Sequence, residues 1–140
     1  CVQPEGNDTA ATPLREGADK GVAVKCTTTI SGLQVPNVMD ADALIPVVRR
    51  SGGTGHTVND DAVYAVQSML AREEGIFCEP AGAVALAGVL GAVKRGEIDP
   101  DATLVCLVTG SGFKETESVN RMVGTEPVPV VDVERFLEMT

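Results

Sequence analysis

Aromatic side chains are nearly absent from this sequence: they make up 3% of the 140 residues, and there is no tryptophan. A core without large rings has to be built from aliphatic side chains and alanine at close spacing, which the 15 glycines help to permit. Hydrophobic residues nonetheless make up 44% of the chain, which excludes a disordered or fibrous protein. The length suits one domain of ordinary size.

Basic residues are also scarce, with 11 Lys and Arg against 20 Asp and Glu and a net charge of −9. A nucleic-acid surface needs clustered basic side chains that neutralise phosphates, so this balance argues against a nucleic-acid partner. It indicates an acidic surface that keeps the chain in solution. No apolar run reaches the roughly 18 residues that a membrane-spanning helix needs, and no secretion signal stands at the start.

Metal-binding and disulfide patterns are missing as well. The four cysteines are far apart and include no Cys-x-x-Cys pair, which matches neither a zinc site nor a disulfide framework. His56 is the only histidine, and no second ligand or nucleophile stands at a motif spacing from it. We therefore expect His56 to be an ordinary loop residue, and we predict no metal site. Free thiols such as that of Cys106 indicate a cytoplasmic location.

The first third of the chain has the least regular pattern. Residues 7–20 predict a mobile connection with one short helical stretch, Ala10–Arg15. Val22–Ile30 is rich in β-branched residues and favours a strand, but its three consecutive threonines are equally compatible with a loop beside a ligand. Asp40 or Asp42 can cap a helix that runs to about position 50, where Ser51–Gly53 ends it.

Two further helices have clear start signals. Asn59 is a good N-cap residue, and the apolar spacing after it predicts a helix that Gly75 terminates. Pro80 suits the first position of a helix over Ala81–Arg95, whose sides are all apolar. Such a helix must be buried on most of its faces. Its glycines at positions 82, 88 and 91 predict close approaches by neighbouring backbone or side chains.

The last third predicts strands and a possible ligand turn. Thr103–Val108 is a continuous apolar run of the kind buried on both faces of a parallel sheet. Val128–Val133 is a second short strand candidate, and Glu134–Met139 a final helical turn or two. The order of these elements predicts an α/β protein. The turn Thr109–Gly112 follows the apolar strand directly, where ligands bind in open α/β sheets.

Two other segments have competing interpretations. Glu79 precedes a buried helix and is either an N-terminal capping charge, which dipole arguments favour, or a site residue. Ser51-Gly52-Gly53-Thr54-Gly55 has the composition of a phosphate loop but follows a helix and lacks the lysine, so we interpret it as a helix stop.

Two segments stand out together: Gly75–Ala83 (Gly-Ile-Phe-Cys-Glu-Pro-Ala-Gly-Ala) and Leu107–Lys114 (Leu-Val-Thr-Gly-Ser-Gly-Phe-Lys). Together they resemble the C-terminal region of the threonine synthases and, more widely, the fold-type II family of pyridoxal-phosphate enzymes. Gln3–Gly6 resembles the strand end and turn that come before this region in the family. The resemblance covers the chain from Val2 to Lys114 and implies a three-layer, mostly parallel sheet with helices on both faces, as part of the large domain.

The resemblance also implies a cofactor site. Thr109 matches the hydroxyl residue that hydrogen-bonds the pyridine nitrogen of pyridoxal phosphate, and Gly110, Ser111 and Gly112 would shape the wall beside the ring. Glu79 would lie near the pocket, which is a looser correspondence. A neutral hydroxyl at the nitrogen makes the ring a weaker electron sink, which suits replacement or elimination chemistry.

The sequence departs from the family by lacking its Schiff-base lysine and Gly-rich phosphate loop. None of the lysines at positions 20, 25, 94 and 114 stands in the lysine motif, so no catalytic residue is predicted here and the chain alone should be inactive. We expect a preceding N-terminal half, an amino-acid substrate and a homodimer. Residues 1–114 would belong to the catalytic domain and 115–140 to a C-terminal tail.

The activity that the resemblance implies is conversion of O-phosphohomoserine and water to threonine and phosphate. The sequence Thr-Gly-Ser-Gly-Phe-Lys favours the threonine synthase reaction over that of threonine or serine ammonia-lyases, which usually have a Ser-Gly-Gly turn at this place. A non-catalytic remnant that binds a ligand or partner is a separate alternative.

Overall fold

The computed structural model describes residues 1–124 and 130–138, and within them the chain forms two short strands and six helices. The strands are β1 (Val2–Pro4) and β2 (His56–Val58). The helices are α1 (Ala11–Arg15), α2 (Ala41–Arg50), α3 (Asp60–Glu73), α4 (Pro80–Lys94), α5 (Thr116–Val123) and α6 (Val133–Glu138). Single 3-10 turns lie at Glu5–Asn7, Ser31–Leu33 and Gly112–Lys114.

The strands are parallel neighbours, with Val2 opposite His56 and Pro4 opposite Val58. Helices α1 and α2 lie between the two strands in the sequence, which is the crossover that parallel pairing requires. This arrangement confirms the α/β class. The turn Glu5–Asn7 follows β1 directly, as the resemblance at Gln3–Gly6 implied.

The predicted helix starts are confirmed. The Asn59 side chain accepts a hydrogen bond from the Ala62 backbone N–H at 2.9 Å, which caps α3. Pro80 is the first residue of α4, where its missing N–H has no helical partner to lose. Asp40 is the N-cap of α2, but its side chain forms no capping hydrogen bond. Asp42 instead accepts a hydrogen bond from the Gly21 N–H at 2.9 Å.

The core consists of two aliphatic clusters. The larger lies between α3, α4 and β2, and the smaller joins α1 to α2. The larger cluster contains Ile30, Val58, Val63, Val66, Leu70, Cys78, Ala83 and Ala87, and the smaller contains Ala10, Leu14, Ala41 and Ile45. Helix α4 is buried or half-buried at every position except Leu90 and Lys94, as its apolar composition predicts. Leu90 is 44% exposed and is the apolar side chain of α4 that this chain leaves uncovered.

The predicted strand at Thr103–Val108 does not form. The segment has no strand partner within residues 1–124 and 130–138, and Val105 and Leu107 are 88% and 78% exposed. A β-strand exists only when a neighbour accepts and donates its backbone hydrogen bonds, and the small β1–β2 sheet does not extend to this segment. The segment therefore has the apolar side chains of a buried strand, but no other part of residues 1–124 and 130–138 covers them.

Two other strand predictions also differ from the structure. Val22–Ile30 forms no strand, so the loop interpretation is the one that holds. In the tail, residues 130–132 are not extended into a strand and Val133 begins α6, while Val128 lies outside the described residues. The final helix is confirmed as far as Glu138, and Met139 lies outside the described residues. No helix in the described ranges is long and apolar enough to cross a membrane.

Candidate functional site

The two segments that carry the family resemblance lie side by side. Cys78 and Ser111 form an antiparallel bridge. The Glu79 N–H donates to the Gly110 carbonyl at 3.3 Å, and the Gly112 N–H donates to the Phe77 carbonyl at 3.1 Å. Residues separated by more than 30 positions thus form one backbone-paired unit at the start of α4.

Two glycines of the turn are required by this packing. Gly110 has φ +66°, and a Cβ at this position would overlap the Glu79 carboxylate. A Cβ at Gly112 would come within 2.6 Å of the Phe77 ring. The Phe77 ring also meets the edge of Phe113, with ring centres 4.9 Å apart. The turn is therefore pressed against the segment before α4 because it carries no side chains there.

Helix α4 approaches the same turn from the other side. Gly82 lies against Thr109, where a Cβ would overlap the Thr109 carbonyl oxygen. Gly88 similarly lies against the Val2 side chain, whereas a Cβ at Gly91 would meet only the Arg95 side chain, at 3.1 Å. The predicted close approaches are confirmed at Gly82 and Gly88 but not at Gly91.

Glu79 occupies the N-cap position of α4, but its side chain forms no capping hydrogen bond. Its Oε2 lies 2.8 Å from Lys114 Nζ, and the Glu79 side chain is only 12% exposed. The carboxylate is thus held between the α-carbon of Gly110 and the ammonium of Lys114. The structure replaces the capping interpretation with a contact between the two family segments.

The hydroxyl groups of the turn lie on an open face. Thr109 and Ser111 are both exposed. Ser111 Oγ accepts a hydrogen bond from the Phe113 N–H at 3.4 Å. The Thr109 hydroxyl has no hydrogen-bond partner within residues 1–124 and 130–138. The exposed backbone of Gly110 therefore adjoins an unengaged hydroxyl.

A third segment adjoins the paired segments: the run of threonines that the sequence left open as a strand or as a loop beside a ligand. The Asp60 carboxylate accepts hydrogen bonds from the Thr28 hydroxyl, the Thr29 N–H and the Thr29 hydroxyl, at 2.6, 2.7 and 2.9 Å. The loop then continues to Gly32, where a Cβ would lie 3.0 Å from the Cβ of Ala81 in the first turn of α4. The three consecutive threonines were the sequence signal for this loop. Asp60, which accepts hydrogen bonds from Thr28 and Thr29, lies 31 positions after Thr29 and has no such signal.

His56 is not the loop residue that its isolation predicted. It lies in β2, is largely buried, and places Nδ1 3.0 Å from Glu97 Oε2. Glu97 also accepts hydrogen bonds from Arg95 Nε and Nη2 at 2.8 and 2.9 Å. The predicted helix stop after α2 is confirmed, with Gly52 at φ +77°. The described residues contain no group of side chains that could hold a metal ion.

Acid should weaken the fold through Glu97. The hydrogen bonds from Arg95, and then from His56, outweigh desolvation and lower the pKa of Glu97 from 4.5 to about 2. Because the folded pKa is depressed, the stabilising effect is complete above about pH 4.5 and is lost as the pH falls toward 2. Thermal unfolding of Glu97→Gln and of the parent protein between pH 6 and pH 2.5 checks this. The difference in Tm should shrink with acidification, and a constant difference would contradict it.

Comparison with known proteins agrees with this geometry. The family model described as pyridoxal-phosphate dependent enzyme matches residues 1–110. The chain is 32% identical over 130 residues to threonine synthase of Methanocaldococcus jannaschii, which covers 92% of this chain and 32% of that protein. It is 34% identical over 119 residues to threonine synthase of Methanosarcina acetivorans, covering 84% of this chain and 29% of that protein.

A bacterial threonine synthase is similar to this chain at a comparable level of identity. Threonine synthase of Synechocystis is 32% identical over 99 residues, covering 71% of this chain and 25% of that protein. The chain thus spans about a third or less of the length of these curated relatives. Gly75–Ala83 lies within the stretch that the family model matches, and the second segment lies within it as far as Gly110. On this match the chain belongs to the family of pyridoxal-phosphate-dependent enzymes.

Proposed function

We propose that this chain is the C-terminal portion of a threonine synthase, a lyase that converts O-phosphohomoserine and water to threonine and phosphate in threonine biosynthesis. The observation that carries the proposal is the pairing of the Glu-Pro segment with the Thr-Gly-Ser-Gly turn, which places Glu79 beside Gly110. The names of the relatives support the choice of reaction.

The residues present fit the family's cofactor. The exposed, unengaged Thr109 hydroxyl is a neutral group that can hydrogen-bond a ring nitrogen. The exposed backbone of Gly110 beside it presents no side chain to a ring, because Glu79 fills the side on which a Cβ would lie. Pyridoxal phosphate, when bound, supplies the electron sink for chemistry at the amino-acid substrate. Thr109 would hold the pyridine nitrogen without giving it a full proton. The Lys114 ammonium would keep Glu79 fixed at the edge of the pocket.

The rest of the catalytic machinery belongs to other polypeptide in this proposal. The Schiff-base lysine and the phosphate-binding loop would be supplied by a preceding N-terminal half, so the 140 residues alone would be inactive. The unpaired apolar segment Leu104–Val108 supports this, because a strand of that half would both pair with it and bury it. A homodimer acting on an amino-acid substrate in the cytoplasm completes the proposal.

The test of the reaction uses the full-length protein that contains this chain. Purified protein is scanned for the absorbance of a pyridoxal Schiff base and then given O-phosphohomoserine. Release of phosphate together with threonine is the expected result. Ammonia release from threonine, without phosphate release from O-phosphohomoserine, would identify an ammonia-lyase instead. Absence of both the absorbance band and turnover would contradict the enzymatic proposal.

The role of Thr109 has its own test. Thr109→Val should raise the dissociation constant of pyridoxal phosphate roughly tenfold, because one hydrogen bond worth about 1–1.5 kcal/mol is lost while the shape is kept. Thr109→Ser keeps the hydroxyl and should change the constant by no more than about threefold. Titration of the apoprotein, followed by absorbance, measures both. Equal constants for the two variants would remove Thr109 from the cofactor site.

A further inference from the structure

The Thr27–Thr29 loop is attached to the start of α3 by one side chain. Asp60 Oδ1 accepts from the Thr28 hydroxyl, and Asp60 Oδ2 accepts from both the N–H and the hydroxyl of Thr29. Three donors therefore converge on two oxygens, a demand that only an ionised carboxylate meets fully, since it accepts without donating. Thr28 is buried, so its hydroxyl has no solvent alternative.

The ionised form of Asp60 is favoured by these contacts. Partial burial alone would raise the pKa of Asp60, but the hydrogen bonds from Thr28 and Thr29, together with the charge of Arg121, outweigh it. The pKa therefore lies below its ordinary value of 3.8. The carboxylate therefore remains charged throughout the neutral range, where it can accept all three hydrogen bonds.

The opposite side of the loop is held by the turn after β1. The Thr27 N–H donates to the Gly6 carbonyl at 2.8 Å, and a Cβ at Gly6 would overlap the Thr28 backbone nitrogen. Ile30, which follows the three threonines, is fully buried in the larger core cluster. Residues 27–30 are thus fixed by Asp60, by Gly6 and by the core cluster, and Asp60 is the charged member of these three.

Beyond Ile30 the loop reaches the first family segment and the residue that directly follows the second. The Ser31 N–H donates to Glu115 Oε1 at 3.3 Å, next to Lys114 in the chain. Gly32 touches Ala81, two residues after Glu79. Thr29, Ser31 and Lys114 also line one cleft of about 430 Å³. A shift of the loop would therefore be transmitted to the residues that hold the Glu79 carboxylate.

We propose that Asp60 is a positioning residue for the cofactor site, acting by fixing the Thr27–Gly32 loop against the first turn of α4 and the Lys114–Glu115 segment. The proposal rests on the proposed function, because it assumes that the Glu79–Thr109 site binds pyridoxal phosphate. Asp60 itself need not touch the cofactor. Its effect passes through the loop.

The test compares two neighbouring substitutions in the full-length protein. Asp60→Asn keeps the shape but turns an NH₂ group or a single oxygen toward three donors. Asp61→Asn removes an equal charge from the same helix end, and the exposed Asp61 side chain forms no hydrogen bond or ion pair with residues 1–124 or 130–138. Both variants lose a similar interaction with the α3 dipole. Asp60→Asn also loses the attraction of Arg121, so substitutions of Thr29, which keep both carboxylates, isolate the attachment of the loop.

Two readouts are measured, neither of which is turnover. Hydrogen exchange of the Thr29 amide should be at least about tenfold faster in Asp60→Asn than in Asp61→Asn. The dissociation constant of pyridoxal phosphate should rise by about the same factor in the first variant only. Thr29→Val and Thr29→Ser extend the comparison at an exposed position that will not prevent folding. The serine should behave like the parent, and the valine should show a smaller change of the same sign as Asp60→Asn.

The outcomes separate this proposal from the preceding one. Parent protein that binds the cofactor, with dissociation constants for Asp60→Asn and Asp61→Asn that agree within about twofold, would overturn the positioning role alone. Parent protein that binds no cofactor would overturn the proposed function and this inference with it. If Asp60→Asn does not fold, equal cofactor constants for the two Thr29 variants would overturn the positioning role.

Discussion

Replacing Gly82 by alanine is expected to lower the free energy of unfolding by about 2 kcal/mol, although alanine is the better helix former. The added Cβ would overlap the Thr109 carbonyl oxygen. That oxygen belongs to the backbone and cannot rotate away, so α4 has to move off the turn. The intrinsic gain of about 1 kcal/mol for Gly→Ala in a helix is then outweighed by the overpacking.

Gly91→Ala in the same helix is the matched control. Its Cβ would meet only the flexible end of the Arg95 side chain, so the helix-propensity gain should remain. We expect stabilisation by about 0.5–1 kcal/mol. Thermal unfolding of both variants beside the parent protein measures the effect. A Gly82→Ala protein as stable as Gly91→Ala would show that α4 is not in contact with the turn.

Replacing Gly110 by alanine should damage both the fold and the cofactor site. A left-handed backbone costs a residue with a Cβ about 1–2 kcal/mol, and Gly110 has φ +66°. The Cβ would also displace the Glu79 carboxylate and separate it from Lys114. We expect a combined loss of about 3 kcal/mol and a cofactor dissociation constant raised by at least about tenfold.

Gly75→Ala separates the effect of the left-handed backbone from the effect of displacing Glu79. Gly75 has φ +67°, nearly that of Gly110, but no atom lies within 4 Å of the position that its Cβ would take. It should therefore show only the strain of about 1–2 kcal/mol and leave cofactor binding unchanged. Unfolding and cofactor titration of the two variants are compared directly. Equal losses in both would mean that the contact between Gly110 and Glu79 has no energetic role.

The helices could be predicted from the sequence because their signals are local. Asn59 caps α3 through an amide three residues away, and Pro80 begins α4 by its own backbone chemistry. The segments at Glu79 and Thr109–Gly112 could be singled out as candidates because each is a short run of characteristic residues. Their pairing agrees with the resemblance, while the role of Thr109 is still a prediction.

The contacts that hold the site together could not be predicted in the same way. Lys114 pairs with a carboxylate 35 positions earlier, and Asp60 binds hydroxyl groups 31 and 32 positions earlier. Neither partner stands out in the sequence, because the chain has 20 acidic residues and most are compatible with a solvated surface. Only the folded backbone decides which of them meets a donor.

The segment at Thr103–Val108 illustrates a different limit. Its apolar run correctly indicated side chains suited to burial, but a sheet is a property of at least two strands. Within residues 1–124 and 130–138 no second strand reaches it. The apolar pattern therefore predicts which side chains are suited to burial, but not whether a neighbouring strand is present to bury them.

That unpaired segment has a consequence for handling the chain by itself. Leu-Val-Cys-Leu-Val carries no charge and no proline, and its backbone groups form no sheet hydrogen bonds within residues 1–124 and 130–138. Segments of this composition are the ones that stack with copies of themselves into intermolecular sheets. The isolated 140 residues would therefore tend toward aggregation as their concentration rises. The same five residues would not promote aggregation in a protein in which another strand is already paired with them.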